Sequence, residues 1–383
     1  MKPTVAIARC AEYDGCRAAL EKCIDTSGLG EDLRDCRVFL KVNLMKGAAP
    51  EKRINTDPRF VGALTALLVE RGCRVLAGDS SGVLGFTGEA MRASGMAEAV
   101  LSAGGQPVNL DAGPFDRVAV EGKVFDHFWL PRILREVDRV VSVPKLKTHT
   151  LTTMTGAVKN LVGALPGGSK CEIHIKAPSP AQVSEAILDL FLAVKPHGAV
   201  VDAVWGLAGQ GKGVGPIPTE AGLVFAGRDC AAVDVVCAEA IGFNPADVPT
   251  IPAAARRGVG PERLDEVRTV GADLAEDRVR FEPAGFEPKR WRALAKSYYR
   301  LRGRSVSPLH LPERCQRCGR CQAVCPVDSL ERKGDRLIVG KACIRCYACH
   351  ENCEHGAMLL KCPWWLKPLF RGRAEGLDVG KLK

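Results

Sequence analysis

The chain has 383 residues, 17 cysteines, 46% hydrophobic and 26% charged residues, and a formal net charge of +10. That length supports one large core plus a smaller module, and it argues against a small secreted disulfide scaffold. With no charged-then-apolar leader and no apolar run of transmembrane length, a cytoplasmic protein is expected.

From the N-terminus, short β-branched runs at 5–8, 37–42, 74–78, 139–143, 199–204 and 222–226 alternate with helical patterns. The helices fall near 16–26, 58–71, 89–103, 180–192 and 230–241. Asn55-Thr56-Asp57-Pro58 is a helix start, a capping residue followed by proline at the first helical position. Such alternation predicts an α/β fold, a mostly parallel sheet with helices on both faces. Ligands in such sheets sit outside the carboxyl ends of the strands.

Polar residues gather at those ends. The run at 37–42 delivers Lys41 and Asn43, and the run at 74–78 leads into Asp79 and Ser80. The run at 139–143 is followed by Lys145, Lys147, Thr148 and His149, then Lys159 and Asn160, while 199–204 carries Asp202. The lysines supply compact positive charge and the threonines hydroxyl donors, so the expected ligand is a small anion. His149, Lys159 and Lys147 are the catalytic candidates, His149 as the proton donor. Lys41, Asn43, Asp79, Ser80, Lys145, Thr148, Asn160 and Asp202 are the binding candidates. His174 is a second titrating candidate, and Asp79 and Asp202 could instead orient the lysines.

The glycine run from Gly206 to Gly215 lacks the G-x-x-x-x-G-K-[ST] order and meets Pro216 and Pro218, so it reads as a flexible connection between strands. No G-x-G-x-x-G follows the first strand, and a dinucleotide is not indicated.

Charge is uneven: residues 1–284 hold 33 Lys and Arg against 35 Asp and Glu, and residues 285–383 hold 21 against 9. Trp291, Leu294, Tyr298 and Leu301 recur at helical spacing among basic residues, so 285–310 is expected as a basic amphipathic linker helix. A second basic segment, 361–383, contains Trp364 and Trp365. Packing on the protein itself is the preferred reading of both. A contact with an anionic membrane surface and docking of an acidic electron-transfer partner of ferredoxin or flavodoxin type are the functional ones. Nucleic acid is the weakest reading, as no recognition module is present.

Between these segments eight cysteines form two runs of C-x2-C-x2-C-x3-C, Cys315, Cys318, Cys321, Cys325 and Cys343, Cys346, Cys349, Cys353. This spacing holds [4Fe-4S] clusters, and in two-cluster modules the fourth cysteine of each run ligates the other cluster. Cys315, Cys318, Cys321 and Cys353 are thus assigned to one cluster, and Cys343, Cys346, Cys349 and Cys325 to the second. Zinc favours two separated C-x2-C pairs and fits less well. Residues 311–360 resemble a bacterial two-cluster ferredoxin, with Pro326 after Cys325 but Glu354 after Cys353, a change expected to loosen a turn or retune a potential.

Several stretches, in order, resemble a family known as the domain of unknown function 362. They are Thr56-Asp57-Pro58, Gly78-Asp79-Ser80, Pro144-Lys145-Leu146-Lys147-Thr148-His149, Gly156-Ala157-Val158-Lys159-Asn160-Leu161, and Ala226-Gly227-Arg228-Asp229 through Asp234. The resemblance covers roughly 5–248 and implies an architecture and a redox association, without a substrate. A fainter topological likeness, to nickel-dependent lactate racemases, carries no ligands over. The expected organisation is an α/β domain over 1–284, the linker, a ferredoxin-like module over 311–360, and the tail. The function expected is a reductase fed by two [4Fe-4S] clusters; the alternative is a non-catalytic electron-transfer or maturation protein that docks a partner.

Overall fold

A computed structural model describes residues 1–82, 86–209, 216–285, 297, 306–361 and 377–378. The strands of the large domain are β1 (Thr4–Arg9), β2 (Arg37–Val42), β3 (Arg74–Asp79) and β4 (Gln106–Asn109). Next come β5 (Phe115–Ala119), β6 (His127–Pro131), β7 (Arg139–Val143), β8 (Lys145–His149) and β9 (Thr153–Thr155). The last are β10 (Gly198–Ala208), β11 (Ile217–Gly227) and β12 (Arg268–Gly271). All but β5 and β6, which form a separate hairpin, build one ten-stranded sheet in the order β12-β1-β11-β10-β7-β2-β3-β4, with β8 paired to β10 and β9 to β8.

Pairing is parallel through β10, β7, β2, β3 and β4, as the alternation of strands and helices requires. The sheet is mixed because β11 runs antiparallel to both β10 and β1. Only residues 209–216 join β10 to β11, too few for a crossover, so the two long strands must form a hairpin. The glycine run starts inside β10 at Gly206 and continues into that connection; its 210–215 part lies outside the described residues.

Each central strand is buried on both faces. On β2, Val38, Leu40 and Val42 point into a core with Leu20, Ile24, Phe60 and Leu64, while Phe39 joins the opposite core with Val158, Leu161, Ile187 and Val235. The helix Pro58–Glu70 starts as expected, Asp57 accepting from Arg59 N–H at 3.0 Å. The single helix expected at 89–103 is two, Thr87–Ala93 and Met96–Ser102, because Gly95 turns left-handed (φ 75°) between them.

In the cysteine module, β13 (Ser307–His310) pairs antiparallel with a strand at Met358–Lys361, and Leu330–Lys333 forms a hairpin with Arg336–Val339. Most of the expected linker helix and nearly all of the tail lie outside the described residues. The end of that linker segment, though, is β13: the alternation Val306, Pro308, His310 buries every second residue, and the strand belongs to the module. Among the described residues no helix is long and apolar enough to cross a membrane.

Candidate functional site

Two cavities open in the module. One is lined by Cys315, Cys318, Cys321 and Cys353, the other by Cys325, Cys343, Cys346 and Cys349, which are the crossed sets expected from the spacing. All eight thiols are free of disulfides. Among the described residues no three His, Cys, Asp or Glu side chains close on a single ion. Donors set around a volume suit a multi-iron cluster better than one tetrahedral zinc.

The two halves repeat each other in backbone as well as sequence. Arg317 and Arg345 are left-handed (φ 53° and 57°), as are Gly319 and Tyr347 (78° and 65°) and Asp328 and Gly356 (45° and 60°). Ser329 N–H donates to Cys325 Sγ at 3.2 Å, and Ala357 N–H to Cys353 Sγ at 3.1 Å. Such bonds to sulfur are one determinant of cluster potential. The turn after Cys353 thus keeps its form without proline, and the expected loosening is not found. Glu354 instead pairs with Arg320 across the module.

The second cavity faces the large domain. Cys346 and Cys349 are buried, whereas Cys318 is exposed. Tyr347, 1% exposed, packs where Gly167 leaves room: a Cβ there would meet the ring at 2.5 Å. Gly168 N–H donates to Arg345 C=O at 3.0 Å, and Asn352 Nδ2 to Ala112 C=O at 2.7 Å. Glu351 reaches across to accept from Thr87 N–H (2.8 Å) and Asn109 Nδ2 (2.7 Å).

At the strand ends the candidate residues divide into two groups. Lys41 is fully buried against Asp79 (2.6 Å) and also donates to Asn160 C=O. Lys145 is fully buried against Asp202 (2.6 Å) and donates to Tyr13 Oη. Their ammonium groups are committed to carboxylates, so a positioning role replaces the anion-binding one expected of them. Asp202 further accepts from Asp57 N–H at 2.9 Å, locking the capping residue of Pro58–Glu70 to β10. Asn160 donates to Lys41 C=O (2.7 Å), a strut rather than a ligand arm. Ser80 lies in a network missed in the sequence, donating to Asp111 and accepting from the buried Lys170; Asp111 also accepts from Thr87 Oγ1 and Gly167 N–H.

Lys147, His149 and Lys159 are arranged differently. The residues after the run at 139–143 form a further strand, β8, and its alternation puts Lys145, Lys147 and His149 on one face. Thr148 points the other way and is buried. Lys147 donates to Asn43 Oδ1 (2.5 Å) and Ile54 C=O (3.0 Å), neutral acceptors that leave its charge uncompensated. Burial, with Lys159 nearby, lowers its pKa to about 7. Lys159 has no hydrogen bond or ion pair among the described residues, and burial lowers its pKa to about 8. It rides on the short helix Ala157–Asn160, whose first N–H groups are held by buried Asp234 at 2.5 and 3.1 Å. A Cβ at Gly156 would meet Asp234 at 2.1 Å, so glycine is required there.

His149 Nδ1 accepts from Leu151 N–H (3.2 Å) and Thr152 N–H (3.3 Å), which leaves the proton on Nε2. Burial, then Lys159 and His174, hold its pKa well below the ordinary value. A neutral imidazole can donate a hydrogen bond, but it is poorly placed to deliver a proton. The depressed lysines are better acids near neutrality.

A family model for the Domain of unknown function (DUF362) matches residues 38–239, and one for a 4Fe-4S dicluster domain matches residues 307–354. A thylakoid-associated protein of Synechocystis sp. is 32% identical over 233 residues, 59% of this chain and 69% of the relative. Among solved structures, the lactate racemase apoprotein of Thermoanaerobacterium thermosaccharolyticum is 14% identical with a TM-score of 0.37, over 52% of this chain and 50% of that one. A Thermotoga maritima protein is 13% identical with a TM-score of 0.38, over 59% and 58%.

Proposed function

The chain belongs to the DUF362 family and carries a 4Fe-4S dicluster domain, and from that premise we propose that it is a reductase acting on a small anionic substrate. Its cofactors are two [4Fe-4S] clusters, held by Cys315, Cys318, Cys321 and Cys353 and by Cys325, Cys343, Cys346 and Cys349. When bound, such clusters supply single electrons. Lys147 and Lys159 bind the anion, Asn43 fixes Lys147, and the Nε2–H of neutral His149 orients the substrate. Lys159, with no partner among the described residues, gives up the proton that reduction consumes.

One observation carries this reading. Two buried lysines without carboxylate partners among the described residues, both lowered in pKa by burial, stand at the ends of the same sheet against which the cysteine module is docked. Burying cations without carboxylates costs free energy, and an anionic ligand would recover it. The test is anaerobic: dithionite-reduced protein, freed of reductant, is mixed with a panel of small carboxylates and oxyanions while cluster absorbance is followed. At least one should reoxidise the wild type quickly. Lys159→Met should lose about a hundredfold in rate, as expected of a general acid, with cluster spectra unchanged. Equal rates in the two proteins would sink the proposal and leave the partner-docking reading, which the exposure of Cys318 favours.

A further inference from the structure

The helix Lys170–Lys176 has two working faces. Lys170 and His174, four residues apart, look toward the strand ends, while Glu172 and Lys176 line a different cavity of about 480 Å³ between the large domain and the module. That volume is within the range of small-molecule sites. We propose that this cavity binds a small planar aromatic acid, its ring against Phe125, Phe128 and Trp129 and its acid group on Lys176 and Arg345.

The wall chemistry selects that class. Phe125 and Phe128, largely buried with ring centroids 4.7 Å apart at 30°, back an apolar wall, and the half-buried Trp129 on β6 offers its accessible ring surface for stacking. The site is built in advance: Asp189 accepts from the N–H groups of Lys123, Val124 and Phe125 at 2.7–2.9 Å and is itself held by Arg257 at 2.7 Å. Three cations line the cavity, Lys176, Lys341 and Arg345, against one carboxylate, Glu172. Arg345 has a buried Nε–H with no partner, and its guanidinium makes no ion pair among the described residues. The terminal N–H groups of such a planar guanidinium match a carboxylate fork to fork. Lys176 sits 4.3 Å from the Phe125 ring centroid, at the junction of the apolar wall and the charged one. Cys343 also lines the cavity, so a ligand there would touch the shell of one cluster. The proposal does not depend on what Lys147 and Lys159 bind.

The probe is 2-naphthoate, titrated calorimetrically into anaerobically purified full-length protein with its clusters in place. One saturable site per chain is expected. Affinity should fall by about tenfold or more in Lys176→Glu and in Trp129→Ala, and stay unchanged in Lys159→Met. Naphthoate should alter the EPR line shape of the reduced wild type and leave that of Lys176→Glu unchanged. Absence of saturable binding would overturn the inference, as would equal affinity in wild type and both cavity variants. Equal affinity for neutral 2-naphthalenemethanol would overturn it as well, since the acid group would then play no part. Loss confined to Lys159→Met would move the site to the strand ends and overturn it too.

Discussion

Lys147 and Lys159 are buried cations without carboxylates, and their titration carries a signed prediction. An ordinary lysine titrates at 10.5, whereas these two do so near 7 and 8. Between those values and 10.5 the unfolded chain binds protons that the folded chain does not, so their burden on stability lifts as pH rises and is fullest below pH 7. An anion reverses the preference, because it stabilises the charged forms. Affinity for a non-titrating anion such as sulfate should therefore be highest near pH 6 and fall as pH passes 8. At pH 8 binding should take up protons, measurable by calorimetry in two buffers of different ionisation enthalpy. Lys159→Met should lose part of that uptake, Lys147 supplying the rest, and no uptake in the wild type would contradict the assignment. His149 adds nothing to this profile, since burial and its cationic neighbours keep it neutral across the range.

The helix Thr87–Ala93 begins at Phe86, in a left-handed conformation with no side-chain cap of its own. Glu351, from the module, supplies that cap and holds Asn109 as well. Removing a capping group costs about 1 kcal/mol, so Glu351→Ala should lower the free energy of unfolding by roughly that amount and open residues 87–93 to protease. Unchanged stability together with unchanged cleavage would show the contact to be incidental. Elements whose signals are local were legible in sequence: Asp57 and Pro58 open their helix, and the β-branched runs at 37–42 and 74–78 are strands. Strand β8 was not, because Lys-Leu-Lys-Thr-His holds a single apolar residue, so neither hydrophobic alternation nor β-propensity marks it. Lys145 was expected first as a ligand arm because its carboxylate lies 57 positions away; the other reading, that Asp202 orients the lysines, is the one the contact matches. Lys170 and Asp111 were invisible for the same reason, and meet only through Ser80. The cysteine sets, in contrast, were readable because metal-ligand spacing is a local property of the chain.

Along the sequence, basic residues concentrate toward the C-terminus. The last 99 residues hold 21 basic against 9 acidic side chains, while the rest of the chain is nearly balanced. Cys346 and Cys349 are buried toward the large domain; Cys318 is exposed, with Arg314, Arg317 and Arg320 exposed around it. Arg317 and Arg320 each touch a carboxylate, but these are surface pairs that water and salt loosen easily. We propose that face as the docking surface if the protein has an acidic ferredoxin or flavodoxin partner. From about 0.01 to 0.15 M salt the Debye length shrinks from roughly 30 to 8 Å, so long-range steering should be largely lost over that interval. Stopped-flow reduction by such a donor should slow by about tenfold or more across it. Arg314→Glu should slow the reaction at low salt, with the two proteins converging at high salt. A rate independent of salt in both would mean that the exposed cysteine face is not the docking surface, and that electrons enter through a contact whose strength lies in shape rather than charge.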